Sequence, residues 1–261
     1  MECGKLKWWH VSWMRVILGL ALAFGLMGVG CLALWVFEPW ELAHELTKSE
    51  TALRIIPQPV PDSSIAAIDG LNIQHFDFSF QVPWRDADIE KNSRLASVTH
   101  FKRGIALIVF DPTGEPDLLQ YIRGKSGKDA EAAKLLLGAR ALSSRYDLMA
   151  AEFAATPDDV HWWASREQNA RSLVLLNMKS MDALGANAIF KVSNEEMHGF
   201  QVGNPAVAPY KIELYLFDRA DRRYWIMFAG KDLVHQVLTQ AEVNAIVASM
   251  KPIPYPAIPQ P

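Results

Sequence analysis

The longest apolar run in the chain comes early: from Val16 to Phe37 no residue is charged. At a helical rise of 1.5 Å per residue that run covers roughly 33 Å, enough to cross the hydrocarbon core of a bilayer. It predicts a cytoplasmic N-terminus over 1–14 and one transmembrane helix over 15–37. Lys5, Lys7 and Arg15 precede the run and Glu38, Glu41 and Glu45 follow it, a charge bias that keeps the N-terminus in the cytoplasm and the rest outside. Trp8, Trp9 and Trp13 on one flank, with Trp35 and Trp40 on the other, suit the two interfacial belts. A cleaved signal peptide competes with this reading, but the run is longer than a usual apolar core and no small-x-small site closes it. Gly28-Val29-Gly30-Cys31 resembles a lipoprotein cleavage box after which Cys31 would carry lipid, although Leu32–Phe37 continues the apolar run. Both outcomes leave the domain anchored outside the cytoplasm, on the inner membrane of a bacterial-type envelope.

Residues 38–63 read as a juxtamembrane helix and then a spacer stiffened by Pro57, Pro59 and Pro61. A globular domain follows over 64–251. Phe76, Phe78, Phe80 and Val82 alternate with polar residues, the period of a strand with one buried face. Leu95–Phe101 and Ile105–Phe110 form a strand pair around Lys102-Arg103-Gly104. Asp117–Arg123, Asp129–Gly138 and Ser143–Ala155 predict short helices. Thr156-Pro157-Asp158-Asp159 opens a long helix to Leu184, with Val160, Trp163, Ala170, Leu173, Val174 and Met181 near one stripe. Ala188–Val192, Gly199–Val202, Lys211–Phe217 and Tyr224–Ala229 return to strands. Thr239 and Glu242 form a capping box that starts a last helix. The tail over 252–261 alternates prolines and should be extended.

Strands, helices, strands and a helix in that order, with polar turns between adjacent strands, predict an α+β fold: a mostly antiparallel sheet covered by helices. Three features over Leu71–Met250 resemble the sandwich domains of PsbP and its relatives. They are the Phe78-x-Phe80-x-Val82-Pro83 strand, the late two-strand hairpin, and the closing helix ending Ile246-Val-Ala-Ser-Met250. Members of that family bind partner proteins or ligands rather than sharing one reaction, so the resemblance implies a binding domain and carries no functional residue across.

The formal net charge of -3 argues against a nucleic-acid binder. Cys3 and Cys31 are the only cysteines, so the domain has neither a disulfide framework nor a thiolate metal site. Motifs for chemistry are sparse. Gly124-Lys125-Ser126-Gly127 lacks the upstream glycine of a phosphate loop, Leu119 standing in its place, and reads as a solvated basic loop. His44-Glu45 would need a histidine where Lys48 stands to complete a zinc-binding helix. His75 and His100 on neighbouring strands are the nearest approach to a two-histidine site; polar sheet faces account for them better. No Gly-x-Ser-x-Gly elbow occurs. Asp86, Asp88 and Glu90 form an acidic stretch, which a solvated loop explains without a catalytic pair.

Two features point to surfaces instead. In Trp162-Trp163 helical geometry turns neighbouring side chains by about 100°, so one indole faces the core and the other meets a helix, a partner or a ligand. Arg219, Arg222 and Arg223 on the late hairpin suit anionic lipid or an acidic partner, or serve as an ordinary polar turn. In the apolar run, Gly19 with Ala23 and Ala21 with Gly25 stand at helical spacing and would permit weak self-association of two helices. The proline tail suits a polyproline reader.

No catalytic residue, cofactor site or metal ligand set emerges. The expectation is a non-enzymatic, membrane-tethered module that binds another protein or assists an envelope complex. A lipid or small apolar ligand domain is the alternative, requiring a cavity lined by residues such as Phe76, Phe78, Trp163 and Trp225. An unrecognised hydrolase would require polar residues from distant segments to converge.

Overall fold

The structure is a computed structural model that describes residues 51–61, 64–111, 119, 124–161, 163–207, 210–230 and 238–253. The run read as a membrane helix, its small-residue face and Cys31 lie outside the described residues, as do Trp162, the segment over 117–123 apart from Leu119, and most of the tail. Among the described residues no helix is long and apolar enough to cross a membrane.

The strands are β1 (Gln58–Pro59), β2 (Leu71–His75), β3 (Phe78–Val82), β4 (Ala87–Asn92), β5 (Ala96–Phe101), β6 (Ile105–Phe110), β7 (Ile189–Ser193), β8 (Met197–Val202), β9 (Lys211–Asp218), β10 (Arg223–Gly230) and β11 (Lys251–Pro252). Four helices accompany them: α1 (Lys128–Leu137), α2 (Arg145–Ala154), α3 (Arg166–Asp182) and α4 (Gln240–Ser249). Short 3-10 turns occupy Thr51–Arg54 and Pro157–Asp159. The fold is α+β: an eight-stranded sheet in the order β1-β7-β8-β9-β10-β6-β5-β4, and a small sheet in the order β11-β3-β2. Every pairing is antiparallel except β1 with β7.

Strand parity sorts the large sheet into two faces. Ile212, Leu214 and Leu216 of β9 join Ile226 and Phe228 of β10 and Leu107 and Val109 of β6 beneath β2, β3 and α4. On the other face Phe200, Val202, Tyr215 and Phe217 meet Met149 and Phe153 of α2. A third cluster, including Leu53, Leu148, Val160, Leu175 and Leu176, binds the helices to one another and to the 3-10 turn at Thr51–Arg54. The described part of the stretch read as a spacer, residues 51–61, therefore packs against the domain: Ala52 and Leu53 are buried and β1 joins the sheet.

Several local expectations change. The single strand Phe76–Val82 is a hairpin, with Phe76 and Asp77 at φ 47° and 44° turning β2 into β3. The register pairs His75 with Phe78 and Ile73 with Phe80, so the inward face passes from odd positions in β2 to even ones in β3, and Phe76 in the turn only happens to extend the even apolar pattern of β3. Ile253 N–H donates to the Asp77 carbonyl (2.6 Å), and β11 pairs with β3, so the tail's first residues are part of the small sheet. The acidic stretch at 86–90 belongs largely to β4, an edge strand whose charges suit an unpaired edge.

The long helix from Thr156 breaks in two. Its box closes only the turn Pro157–Asp159, and a second box, Ser165 with Gln168, starts α3 at Arg166. Trp163 falls between them, so the buried positions of α3 become Asn169, Leu175, Leu176 and Lys179. The box at Thr239 and Glu242 opens α4 as expected.

The start of α2 is satisfied from a distant turn. Arg145 and Tyr146 N–H groups donate to the Asp221 carboxylate (2.6 and 3.2 Å), while Asp147 N–H donates to Ser144 Oγ (2.9 Å). Those are the donors a helix leaves without intrahelical partners. Asp221→Ala is expected to cost about 1–2 kcal/mol, read as a lower urea midpoint with an unchanged m-value.

Candidate functional site

The sequence-derived surface residues separate. Trp163 lies in the loop before α3, exposed, with its ring stacked on His161 at 4.4 Å. The arginines lie on the β9–β10 hairpin. Arg222 donates from Nε to Asp218 Oδ2 (2.6 Å), faces Asp77 at 3.8 Å and covers the Tyr224 ring. Arg219 reaches the Glu195 carbonyl (3.2 Å), and burial lowers the pKa of Arg223. Arg222 thus organises the turn, holding the strained Phe76-Asp77 hairpin beside it.

The aromatic residues expected to share a ligand cavity do not share one. Phe78 is fully buried against Phe80 and Tyr224, whereas Trp225 sits on the opposite face, stacked on Phe110 at 3.7 Å. His75 and His100 also part: His75 Nε2 lies 3.1 Å from the buried Ser97 Oγ on one face of β5, while parity sends His100 to the other. Among the described residues no group of histidines, cysteines and carboxylates could hold a metal ion.

Polar side chains from distant segments do converge, at a place no motif marked. Glu213 of β9 is buried; its Oε2 accepts from the Tyr215 hydroxyl (2.9 Å) and from Trp225 Nε1 (2.9 Å), and Lys211 ion-pairs its other oxygen. The Tyr215 hydroxyl also lies 3.2 Å from the Asp182 carbonyl. The Asp182 carboxyl bonds Glu152 of α2, which is 1% exposed. Burial, then the Asp182 charge, pushes the Glu152 carboxyl up to about 9, and burial raises Asp182 as well. Two acids that cannot both ionise share a proton here.

Beside them Lys179 is fully buried. Its Nζ donates to the carbonyls of Leu53 (3.1 Å), Ile55 (2.6 Å) and Ala155 (2.7 Å), and burial draws its pKa down to about 8 against the pull of Glu152 and Asp159. A reaction needs a substrate within reach of such groups. Glu152 and Lys179 are instead sealed between the helices, and the pocket beside Glu213 holds about 90 Å³, room for about three waters at 30 Å³ each. The cluster is a polar seam within the fold.

The space of ligand size lies elsewhere. A groove of about 430 Å³ runs between β1, β7 and α4, lined by Pro59, Val60, Ile65, Val192 and Val247, with Asn244 among its polar groups. Its volume falls within the usual 300–1,000 Å³ of binding sites, and its mostly apolar lining fits the same class. Sequence patterning hid it because its walls come from the spacer, an edge strand and the last helix.

No family model, curated protein or solved structure matches the chain. The PsbP-like resemblance therefore rests on its three sequence features alone.

The seam makes a pH prediction. A carboxyl raised from 4.5 to about 9 favours the folded state below its ordinary value, and that contribution is lost as pH rises towards 9. Lys179, lowered from 10.5 to about 8, acts with the opposite slope, but only within its own window above about 8. Between pH 5 and 8 the melting temperature should fall for the unaltered protein and stay nearly flat for Glu152→Gln; parallel profiles would refute the shared proton. Separately, Lys179→Met leaves three buried carbonyls without their donor. It should cost about 3 kcal/mol or more and speed tryptic cleavage after Arg54.

Proposed function

We propose that the chain is a membrane-tethered extracytoplasmic protein of a bacterial-type envelope, and that its domain binds an extended segment of a partner protein without catalysing a reaction. The groove between β1, β7 and α4 carries this reading. β1 covers only Phe190 and Lys191 of the five-residue β7. Pro57, Pro59 and Pro61 lack the N–H groups that would prolong it. Past that point Val192 and Ser193 border the groove rather than a strand.

An extended segment laid where β1 stops would continue the sheet edge and place alternate side chains in the apolar groove, the pattern of strand addition. The tether gives this weak, open site a physical purpose, because holding a domain at the membrane raises its effective concentration towards partners there. The sealed seam gives the hydrolase reading no support, because its titrating groups are buried out of reach of a substrate.

A photoreactive residue in place of Ala248 or Ser193, both exposed at the groove, tests the proposal in cells expressing the full chain. Both positions should give the same discrete adduct, absent from a probe at Arg94 on the opposite edge and lost on adding Ile65→Glu. Equal capture at Arg94, or none from the groove, would sink it.

A further inference from the structure

We propose that the outer side of the helical layer, α1 to α3 with the Trp163 loop, rests on the phospholipid surface; the inference depends on the membrane tether proposed above. Large apolar side chains left exposed are concentrated there. Among the described residues eight are exposed, and five belong to this layer or to the chain entering it: Ile56 48%, Leu135 52%, Trp163 66%, Met181 67% and Leu184 64%. The other three are scattered, Ile65 in the groove, Leu95 in the β4–β5 turn and Val207 after β8.

The layer holds these residues on one rigid support. Arg171 of α3 donates to the Leu135 carbonyl of α1 (3.1 and 2.9 Å), and Asn169 fixes the loop before α3 by bonds with His161 N–H (3.1 Å) and the His161 carbonyl (2.8 Å). Trp163 is stacked on that same His161.

The occupant is indicated by where the chain enters. Lys179 and the Arg54–Asp158 pair (3.0 Å) fasten residues 53–55 to this layer. The apolar run ends at Phe37, leaving residues 38–50 before Thr51. Those thirteen residues reach at most about 47 Å extended and about 20 Å as a helix. The tether therefore emerges on the layer that carries the apolar fringe, close to the bilayer. An indole flanked by scattered aliphatic side chains suits the interfacial zone, where tryptophan is enriched. The groove, beside α4 across the sheet, then stays clear of lipid and open to a protein.

The full chain, with Cys3→Ser and Cys31→Ser, would be placed in phosphatidylcholine–phosphatidylglycerol liposomes containing a lipid spin-labelled near its headgroup. A nitrobenzoxadiazole probe is read at Trp163→Cys, Met181→Cys and, as control, Leu95→Cys. All three sites are exposed, so the fold should tolerate the changes, and matching melting curves verify this. Quenching at 163 and 181 at least twofold above that at 95 is expected. Equal quenching at the three sites, with the chain still resisting carbonate extraction, overturns the docked layer and leaves the tether standing. A chain released by carbonate overturns the tether, and this inference falls with it.

Discussion

β9 is buried on both faces along almost its whole length, and that constraint organises the domain. A strand enclosed on both sides requires two separate covers, and the chain supplies covers of different kinds. One is a small sheet with α4, meeting Ile212, Leu214 and Leu216; the other is a helical layer, meeting Tyr215 and Phe217. Double enclosure also explains why Glu213 is so heavily bonded. A carboxylate on a covered face must find donors inside the protein, and Tyr215, Trp225 and Lys211 supply them.

The helical cover depends on a second burial, that of Lys179. Ala155 ends α2, and Leu53 and Ile55 lie at the close of the Thr51–Arg54 turn. Their carbonyls are of the kind that helix ends leave without partners, and they carry the negative end of the helix dipole. An ammonium has three donors and no acceptor, so one lysine can answer all three. The same contact makes the entering chain part of the helical layer. The nearby ammonium favours ionisation of Glu152, but burial and the Asp182 charge outweigh it.

Much of this was legible in the residues, and what was missed has physical causes. The capping box at Thr239 was readable because it works through contacts three residues apart, and local chemistry of that range survives in any fold; the equivalent box at Ser165 was passed over inside the longer helix. The β9–β10 and β5–β6 hairpins were readable for the same reason. The Phe76-Asp77 turn was hidden because Phe76 is an apolar turn residue that falls in step with Phe78, Phe80 and Val82, although the inward face changes parity between β2 and β3. The stripe assigned to a helix from Thr156 failed because Trp163 precedes the real helix and the periodicity was counted from the wrong start. The seam was invisible: Glu152, Lys179, Asp182 and Glu213 come from three elements, and each reads alone as an ordinary charged surface residue.

Placement of the groove and of the exposed apolar fringe on different sides of one sheet has a mechanical consequence. A tether alone leaves a domain free to tumble within the reach of its linker, so partner and bilayer compete for whatever surface faces them. Under the tether proposed above, fastening the entering chain to the helical layer through Lys179 and Arg54 would bias that layer towards the membrane, because the linker would reach it first. The edge where β1 meets β7 would then be presented sideways, with its unfinished strand pairing available to a segment approaching parallel to the bilayer. Orientation obtained this way needs no large lipid-binding energy. A few exposed side chains would suffice, since a covalent tether would already have met the entropy of bringing the domain to the surface.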